Sequence, residues 1–325
     1  MRAFVLDRYG SPDRFQLTDL DRPEPAAGEV LVRVRATSIN PYDWHHMRGE
    51  PLLARPSMGG PRRPRHRVLG CDLAGEVAAV GTGVTGFEPG DRVYALVDSG
   101  GFAEYATVPV RLLARMPANL TYEQAAAVPM AGVTALLAVR DDGGVRSGSA
   151  VLVNGATGGV GTFAVQIAAA YGAKVTAVCR GRNADLVRSI GADEVIDYTV
   201  EDFTRSARRY DVLLDVAGSR PVRACRRVLV PDGTLVAVGG PAGRWVQPAG
   251  HVLGAAATGL FVSQRMVRAD AVRSERRQKL DTLTGLIEAG QVTPVVDRTY
   301  RFEDLPDAVR HQEAGHSPGK VVVTV

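Results

Sequence analysis

Residues 149–182 read SAVLVNGATGGVGTFAVQIAAAYGAKVTAVCRGR, and this stretch decides the fold. Residues 149–154 and 174–179 are short apolar runs, typical of strands that are buried on both faces. Residues 162–171 between them have helical periodicity, and Gly172 ends that helix. The order is strand, glycine-rich turn, helix and strand, which is the first unit of a dinucleotide-binding fold.

The glycine-rich turn over residues 155–161 has the features that a pyrophosphate site needs. Gly155 and Gly158 allow a tight turn, and Gly161 allows the helix to lie close to the strand. The first N–H groups of the helix then face the phosphates. Because a strand precedes the turn and a helix and strand follow it, the pattern favours a dinucleotide site over a strand–turn–helix without ligand. The predicted contacts in the turn are Gly155, Thr157, Gly158, Gly159, Val160 and Gly161.

The residues just beyond the second strand favour NADPH as the cofactor. An NAD site usually has an acidic residue about 20 positions after the glycines, where it binds the ribose 2′-hydroxyl. This chain has Arg180 there, followed by Arg182, and no carboxylate. Two guanidinium groups can hold a 2′-phosphate through charge-assisted hydrogen bonds. The alternative is that both arginines are ordinary solvated surface charges.

Composition excludes several classes of protein. The chain has 325 residues, 45% hydrophobic and 23% charged, with a formal net charge of +4. The basic residues are dispersed, which argues against a nucleic-acid partner, and the densest basic run, residues 61–67, lacks the aromatic residues that stack on bases and is predicted to be an exposed loop. Three scattered cysteines do not form a disulfide framework or zinc knuckle. We find no signal segment or apolar run of bilayer length, so we expect a cytoplasmic protein without a membrane partner.

Element patterns predict an α/β protein with two domains. Residues 1–119 contain many short strands separated by Gly and Pro turns, which indicates a β-rich domain. Residues 120–265 alternate helices and strands, which indicates a doubly wound parallel sheet, the Rossmann fold. Within it, Leu260–Val262 is predicted to be a late strand. Residues 266–325, which begin with a charged helix over residues 268–289, are expected to return and complete the β-rich domain.

The order of these parts resembles the medium-chain dehydrogenase/reductase superfamily, in its zinc-independent, NADPH-dependent quinone oxidoreductase branch. The resemblance covers nearly the whole chain and implies that the β-rich domain is GroES-like and catalytic. Apart from the glycine turn, it rests on Ser38-Ile39-Asn40-Pro41-x-Asp43, Leu69-Gly70-x-Asp72-x-x-Gly75, Pro89-Gly90-Asp91-x-Val93, Ala131-Gly132-x-Thr134-Ala135, Gly191-Ala192-Asp193-x-Val195-Ile196-Asp197-Tyr198 and Gly319-Lys320-Val321-Val322.

The resemblance also implies that no catalytic zinc is present. Zinc-dependent relatives have two thiolates and an imidazole where this chain has Asn40, Cys71 and approximately Met130. A catalytic zinc needs three N, S or O protein ligands, and these residues do not supply them. Cys71 is therefore predicted to be a small buried hydrophobic residue. Without a Lewis acid, oxidation of a simple alcohol is difficult, which favours hydride transfer to a quinone or an enone.

The resemblance places the chemistry in a cleft between the two domains. Asn40 and Thr134 are expected to border the nicotinamide, with Tyr42, Asp43 and His45 on the turn that faces it. Related quinone reductases usually have a tyrosine in place of His45, so the proton donor is either His45 or Tyr42. The alternative is that Asp43 is only a structural acceptor and that His45 and His46 are surface residues. Further expected cofactor contacts are Tyr198 near the 2′-phosphate, Gly239, Phe261, Val262 and Lys320.

The predicted function is therefore NADPH-dependent reduction of a quinone or an α,β-unsaturated carbonyl without zinc. An enoyl reductase of a biosynthetic pathway and a nonenzymatic NADPH-binding redox sensor remain as alternatives. The predicted late strand, Leu260–Val262, is apolar and lies at the end of the sheet, where it can pair with a second copy. Close relatives usually dimerise in this way, so we expect a homodimer.

Overall fold

The structure is a computed structural model that describes residues 1–240, 262–271, 275–315 and 317–325. Contacts divide the chain into two units. Unit 1 comprises residues 1–130, 272–289 and 294–325, and unit 2 comprises residues 131–271 and 290–293. Within the described ranges, no helix is both long and apolar enough to cross a bilayer.

Unit 1 is built mainly from β-strands. Numbered in chain order, its strands are β1 (Arg2–Val5), β2 (Gln16–Asp19), β3 (Glu29–Ile39), β4 (Asp72–Val80), β5 (Arg92–Leu96), β6 (Tyr105–Pro109), β7 (Leu113–Arg115), β14 (Val296–Arg301) and β15 (Lys320–Thr324). Seven of them form one sheet in the order β14-β15-β3-β4-β5-β7, with β6 paired to β3, while β1 and β2 form a separate pair. Its helices are α1 (Pro41–Arg48), α2 (Arg55–Met58), α3 (Tyr122–Ala126), α8 (Arg276–Glu288) and α9 (Leu305–Glu313).

Two apolar clusters form the core of unit 1. Alternating residues of β3, among them Val30, Val32 and Val34, pack with residues of β4 to β7. Phe4, Phe15 and the end of the chain form the second cluster. The last strand, β15, pairs with β3 through Val321 to Thr324, so the C-terminal segment completes this unit.

In its described residues, unit 2 has a six-stranded parallel sheet with the strand order of a Rossmann fold. Its elements are α4 (Pro129–Leu136, continued by a π-helix over Leu137–Asp142), β8 (Ala150–Asn154), α5 (Gly159–Ala170), β9 (Lys174–Cys179), α6 (Ala184–Ser189), β10 (Glu194–Asp197), β11 (Tyr210–Asp215), α7 (Val222–Cys225), β12 (Leu229–Ala237) and β13 (Arg265–Arg268). The order β10-β9-β8-β11-β12-β13 reverses direction at β8, which creates the crevice where such sheets bind ligands. The α/β fold with a parallel sheet is confirmed.

The boundary between the units lies after Met130, later than the expected division between residues 119 and 120. Residues 120–130 stay with unit 1 because polar groups hold them there. The Tyr122 hydroxyl donates to Glu76 (2.8 Å), and the Met130 N–H donates to Asp72 (2.7 Å). The change from strand-rich to helix-rich sequence therefore precedes the change of unit.

The predicted strand over Leu260–Val262 lies mostly outside the described residues. Of its residues only Val262 is described, in a bend, and the last described strand of the unit 2 sheet is β13. Arg265 and Arg268 are exposed at its two ends while Met266 and Val267 are partly buried, a pattern that an edge strand tolerates because water solvates the arginines. The helix predicted over residues 268–289 is correspondingly shorter, as α8 begins at Arg276.

Candidate active site

The glycine-rich turn has the geometry of a phosphate cradle. Gly155 has φ +89°, a conformation that favours glycine. A Cβ atom at Gly161 would lie 2.1 Å from the Gly155 carbonyl oxygen, so no side chain fits there. Gly158 is the N-cap of α5 and brings no side chain to its first N–H groups. Those N–H groups remain available to an anion, so the turn fits a dinucleotide pyrophosphate.

Arg180 and Tyr198 are neighbours at the ends of β9 and β10. The Arg180 Nε donates to the Tyr198 hydroxyl (2.7 Å), and Arg182 is exposed two residues further along the chain. The carboxylate of Asp197 is already used, because it accepts from the Thr199 N–H and hydroxyl (2.9 and 2.7 Å). The residues predicted to hold a 2′-phosphate thus form one exposed, cationic corner of unit 2.

A buried polar group at the carboxyl ends of β8 and β11 escaped the sequence prediction. Asp215 is fully buried and accepts from Asn154 Nδ2 (2.7 Å) and from the Gly218 N–H (3.0 Å). The Gly239 N–H donates to the Asp215 carbonyl (3.3 Å), which fixes Gly239 at the same edge of the sheet. Asn154 ends the apolar run that predicted a buried strand over residues 149–154, and only its polarity could have marked it.

Thr134, Phe261 and Val262 are the other residues predicted to contact the cofactor from this part of the chain. Thr134 is buried within α4. Val262 follows the undescribed stretch as part of a bend, and Phe261 lies outside the described residues.

The start of α1 is fixed by a reciprocal capping arrangement. Asn40 is the N-cap, Asp43 is the third helical residue, and the Asn40 N–H donates to Asp43 Oδ2 (2.8 Å). Asp43 Oδ1 also accepts from the Cys71 N–H (3.1 Å), which joins α1 to the segment before β4. Capping boxes of this kind satisfy the free N–H groups of a first helical turn.

The buried carboxylate of Asp72 accepts hydrogen bonds from several groups next to the first turn of α1. Asp72 Oδ2 accepts from Ser38 Oγ (2.6 Å), Asn40 Nδ2 (2.8 Å) and Lys320 Nζ (3.3 Å). Lys320 also donates to Asn40 Oδ1 and to the Ile39 carbonyl (3.4 Å). These bonds can engage all three donors of the ammonium, so that Lys320 orients the amide of Asn40. The cofactor contact of Lys320 that the resemblance implies stays a prediction.

Burial changes the acidity of two groups in this network. It raises the pKa of Asp43 to about 7, and the neighbouring charge of Asp72 adds to the effect. Burial also raises the pKa of the Cys71 thiol well above its usual value, with Asp43 and Asp72 again contributing. Cys71 is therefore a protonated thiol at neutral pH. It lies within a polar network, since Asn40 Nδ2 approaches its Sγ at 3.3 Å, and is more than the small hydrophobic residue that the sequence predicted.

The raised pKa of Asp43 gives stability a specific pH dependence. Between about pH 4 and 7 the folded chain keeps a proton that the unfolded chain releases, so the free energy of unfolding falls as pH rises through this window, by up to about 4 kcal/mol. Denaturant unfolding at several pH values checks this. The free energy of unfolding of Asp43→Asn should no longer fall as pH rises through this window. That of Asp281→Asn, a change at an exposed carboxylate, should fall as it does in the parent. Parallel slopes for Asp43→Asn and the parent would contradict the assignment.

The three positions that match zinc ligands do not fit a zinc ion. Both polar atoms of the Asn40 side chain are engaged, and the thiol of Cys71 would have to lose a proton that its environment retains. The Lys320 ammonium beside them would repel a cation. In the described ranges, no group of three or more His, Cys, Asp or Glu side chains is arranged to hold a metal.

Tyr42 and His45 differ in their ability to donate a proton. His45 Nδ1 lies 2.9 Å from the Glu50 carbonyl, which can only accept, so Nδ1 carries the hydrogen. Burial lowers the pKa of His45 and keeps the ring neutral at pH 7, and its Nε2 then has no proton to give. Burial raises the pKa of Tyr42, so its phenol stays protonated. Of the two donors that the sequence left open, the hydrogen bond of Nδ1 disfavours His45, which leaves Tyr42.

Comparisons with known proteins match both units. Residues 26–118 match the family model described as alcohol dehydrogenase GroES-like domain, and residues 190–323 match the one described as zinc-binding dehydrogenase. The mouse protein named mitochondrial NAD(P)H oxidoreductase RTN4IP1 is 34% identical over 100% of this chain and 89% of its own length. A chloroplastic NADPH-dependent alkenal/one oxidoreductase of Arabidopsis thaliana is 34% identical over 99% of this chain and 79% of its own.

The chain belongs to the medium-chain dehydrogenase/reductase superfamily. It falls in the zinc-independent quinone oxidoreductase branch. Among solved structures, the quinone oxidoreductase from Coxiella burnetii matches with a TM-score of 0.86 and 26% identity, over 100% of this chain and 99% of that one. The predicted family is thus confirmed, and the chain is an oxidoreductase that uses a nicotinamide cofactor. The second family description includes the word zinc, but its match covers residues 190–323. This range contains none of the three positions that correspond to zinc ligands, Asn40, Cys71 and Met130.

Proposed function

We propose that this protein reduces a quinone or an α,β-unsaturated carbonyl with NADPH and without zinc. The observation that carries the proposal is the buried network of Asn40, Asp72 and Lys320, which engages the side chain of Asn40, one of the three positions where zinc-dependent relatives place metal ligands. A quinone or enone has an electron-poor carbon that accepts hydride without metal activation. The names of the alkenal/one oxidoreductase and the quinone oxidoreductase support this substrate class.

We assign the cofactor to groups of unit 2. The N–H groups of Gly159, Val160 and Gly161 would hold the pyrophosphate, and Arg180, Arg182 and Tyr198 would hold the 2′-phosphate of NADPH. Thr157 and Gly239, at the same edge of the sheet, and Thr134 of α4 are assigned as further contacts. The nicotinamide supplies the hydride when bound.

The proposed role of unit 1 is to provide a proton. Reduction of an enone leaves negative charge on oxygen and carbon, which must be stabilised and protonated. Tyr42 is the proposed donor because its phenol is protonated and the structure gives it no hydrogen-bond acceptor among the described residues. Asn40, Asp43 and Lys320 are assigned as positioning residues that hold α1.

A panel of acceptors tests this function and separates it from the alternatives. Consumption of NADPH should proceed with quinones, enones or enals and should be absent with simple aldehydes. Activity confined to enoyl thioesters would instead indicate the enoyl reductase of a biosynthetic pathway. Tight NADPH binding without turnover on any acceptor would contradict the proposal and support a nonenzymatic redox sensor.

We further propose a homodimer formed through the edge of the unit 2 sheet. Strand β13 has one neighbour, β12, in the described sheet, so its other edge has backbone groups available for pairing. Light scattering should give twice the chain mass of 34.5 kDa at micromolar concentration. A monomer under those conditions would refute this assembly. The cytoplasmic location predicted from composition stays a prediction, to be checked by fractionation of the source cells.

A further inference from the structure

The loop that follows α1 is a folded element of unit 1. The Arg55 guanidinium donates to the carbonyls of Gly49 (2.9 Å) and Pro61 (2.8 Å) and lies 4.8 Å from the centre of the Tyr9 ring. The Arg65 N–H donates to the Met58 carbonyl (2.8 Å). These bonds close residues 49–67, which include the predicted exposed loop over residues 61–67, into a compact structure.

Positive charge is concentrated on this loop. Residues 50–67 with the neighbouring residues 7 and 8 form what we call the arginine loop, which contains six arginines and two acids. Its formal charge of +4 equals that of the entire chain. Its four exposed arginines between residues 61 and 67 are Arg62, Arg63, Arg65 and Arg67.

Little of this charge is neutralised within the protein. Arg67 pairs with Asp7 (2.7 Å), and in the described ranges no carboxylate pairs with Arg62, Arg63 or Arg65. The pKa of Asp7 is lowered mainly by its hydrogen bond to Arg67, with further contributions from Arg63 and Arg8, so several guanidinium groups gather around a single acid. The arginine loop can therefore attract a large anionic partner.

An exposed apolar side chain identifies the kind of anion. Leu53 belongs to the same loop and is 71% exposed, and Leu52 beside it is partly exposed. Residues 50–67 contain no Phe, Tyr or Trp, so they lack the rings on which nucleic-acid bases stack. Arginines that flank an exposed leucine suit the interface of an anionic bilayer, where the cations meet headgroups and the apolar side chain enters the acyl boundary.

We propose that the arginine loop binds reversibly to membranes that contain anionic lipids. Such binding needs no transmembrane helix and does not depend on the proposed reductase activity. It revises the expectation, drawn from the sequence, that residues 61–67 are only an exposed loop and that the protein has no membrane partner. It would also bring the chain to a surface where apolar acceptors concentrate.

Vesicle sedimentation tests the proposal on the full-length protein. We expect binding to mixed phosphatidylglycerol/phosphatidylcholine vesicles at low salt, loss of binding at high salt, and no binding to pure phosphatidylcholine. Each arginine near an anionic surface contributes about fivefold to affinity, so the triple variant Arg62→Gln/Arg63→Gln/Arg65→Gln should bind on the order of a hundredfold more weakly. Leu53→Ser should weaken binding further at constant charge.

A matched control removes the same charge elsewhere. Arg205, Arg223 and Arg227 are exposed on unit 2, and their replacement with glutamine should leave vesicle binding nearly intact. NADPH binding by every variant serves as the check on folding. Equal loss of binding in the two triple variants would overturn the proposal. So would an affinity for a single-stranded oligonucleotide that exceeds the affinity for the vesicles while Leu53→Ser has no effect.

Discussion

Replacing Arg180 and Arg182 with alanine is expected to weaken NADPH binding by about a hundredfold and NADH binding by less than about threefold. The two cofactors differ only in the 2′-phosphate, which charge-assisted hydrogen bonds to arginine stabilise by roughly 1.5–3 kcal/mol each when well formed. Both guanidinium groups are accessible to water, which weakens such bonds. We therefore expect the loss of binding free energy to lie at the lower end of the sum of the two bonds. Fluorescence titration of the two reduced cofactors measures both dissociation constants.

The control for this prediction is the double change Arg223→Ala/Arg227→Ala. These arginines are also exposed on unit 2. They precede the start of β12, away from the ends of β9 and β10 where Arg180 lies, so their loss should affect the binding of neither cofactor. A parent protein that binds NADPH and NADH equally would refute the assignment of Arg180 and Arg182. So would a variant in which affinity for both cofactors falls by the same factor.

Tyr42→Phe is expected to lower kcat on an enone by about 10–100-fold while NADPH affinity stays within about twofold. General acid catalysis typically contributes about 10²–10⁴-fold, and water can replace part of it when the phenol is removed. Hydride transfer depends on alignment with the acceptor carbon, which this change leaves in place. Steady-state kinetics on one enone and one quinone measure the effect. The kcat on the quinone should fall less, because a hydroquinone can take its protons from solvent.

His45→Ala is the companion variant, since the two side chains lie on the same helix. Its neutral ring has no proton on Nε2, so we expect a smaller loss of kcat than for Tyr42→Phe. If His45→Ala proves the more damaging change on every enone, the proton donor has been misassigned. If both variants keep full kcat, solvent is the donor.

Local patterns were sufficient to predict the family and the cofactor-binding unit. The strand–turn–helix–strand order around Gly155 and Gly161 depends on contacts between residues close in sequence, so spacing alone defines it. Arg180 was likewise found by counting from the glycines. The position of β13 was not predicted, because the apolar run at Leu260–Val262 is a stronger strand signal than the charged sequence of an edge strand.

The network beneath α1 could not be predicted because it joins distant parts of the chain. Ser38, Asn40, Asp72 and Lys320 lie in β3, beside α1, in β4 and in β15, and only the sheet order brings them together. No local pattern indicated that Lys320 would orient Asn40. The tautomer of His45 depends similarly on the Glu50 carbonyl, whose position follows from the path of the chain after α1.

Hydride transfer without zinc is tested by following deuterium from NADPH that is dideuterated at C4 of the nicotinamide to an enone, with chelator-treated protein. We expect one deuterium at the β-carbon of the product, unchanged turnover after chelation, and no stoichiometric zinc by elemental analysis. Absence of deuterium from the product, or turnover that is lost with the chelator and restored by zinc, would contradict it.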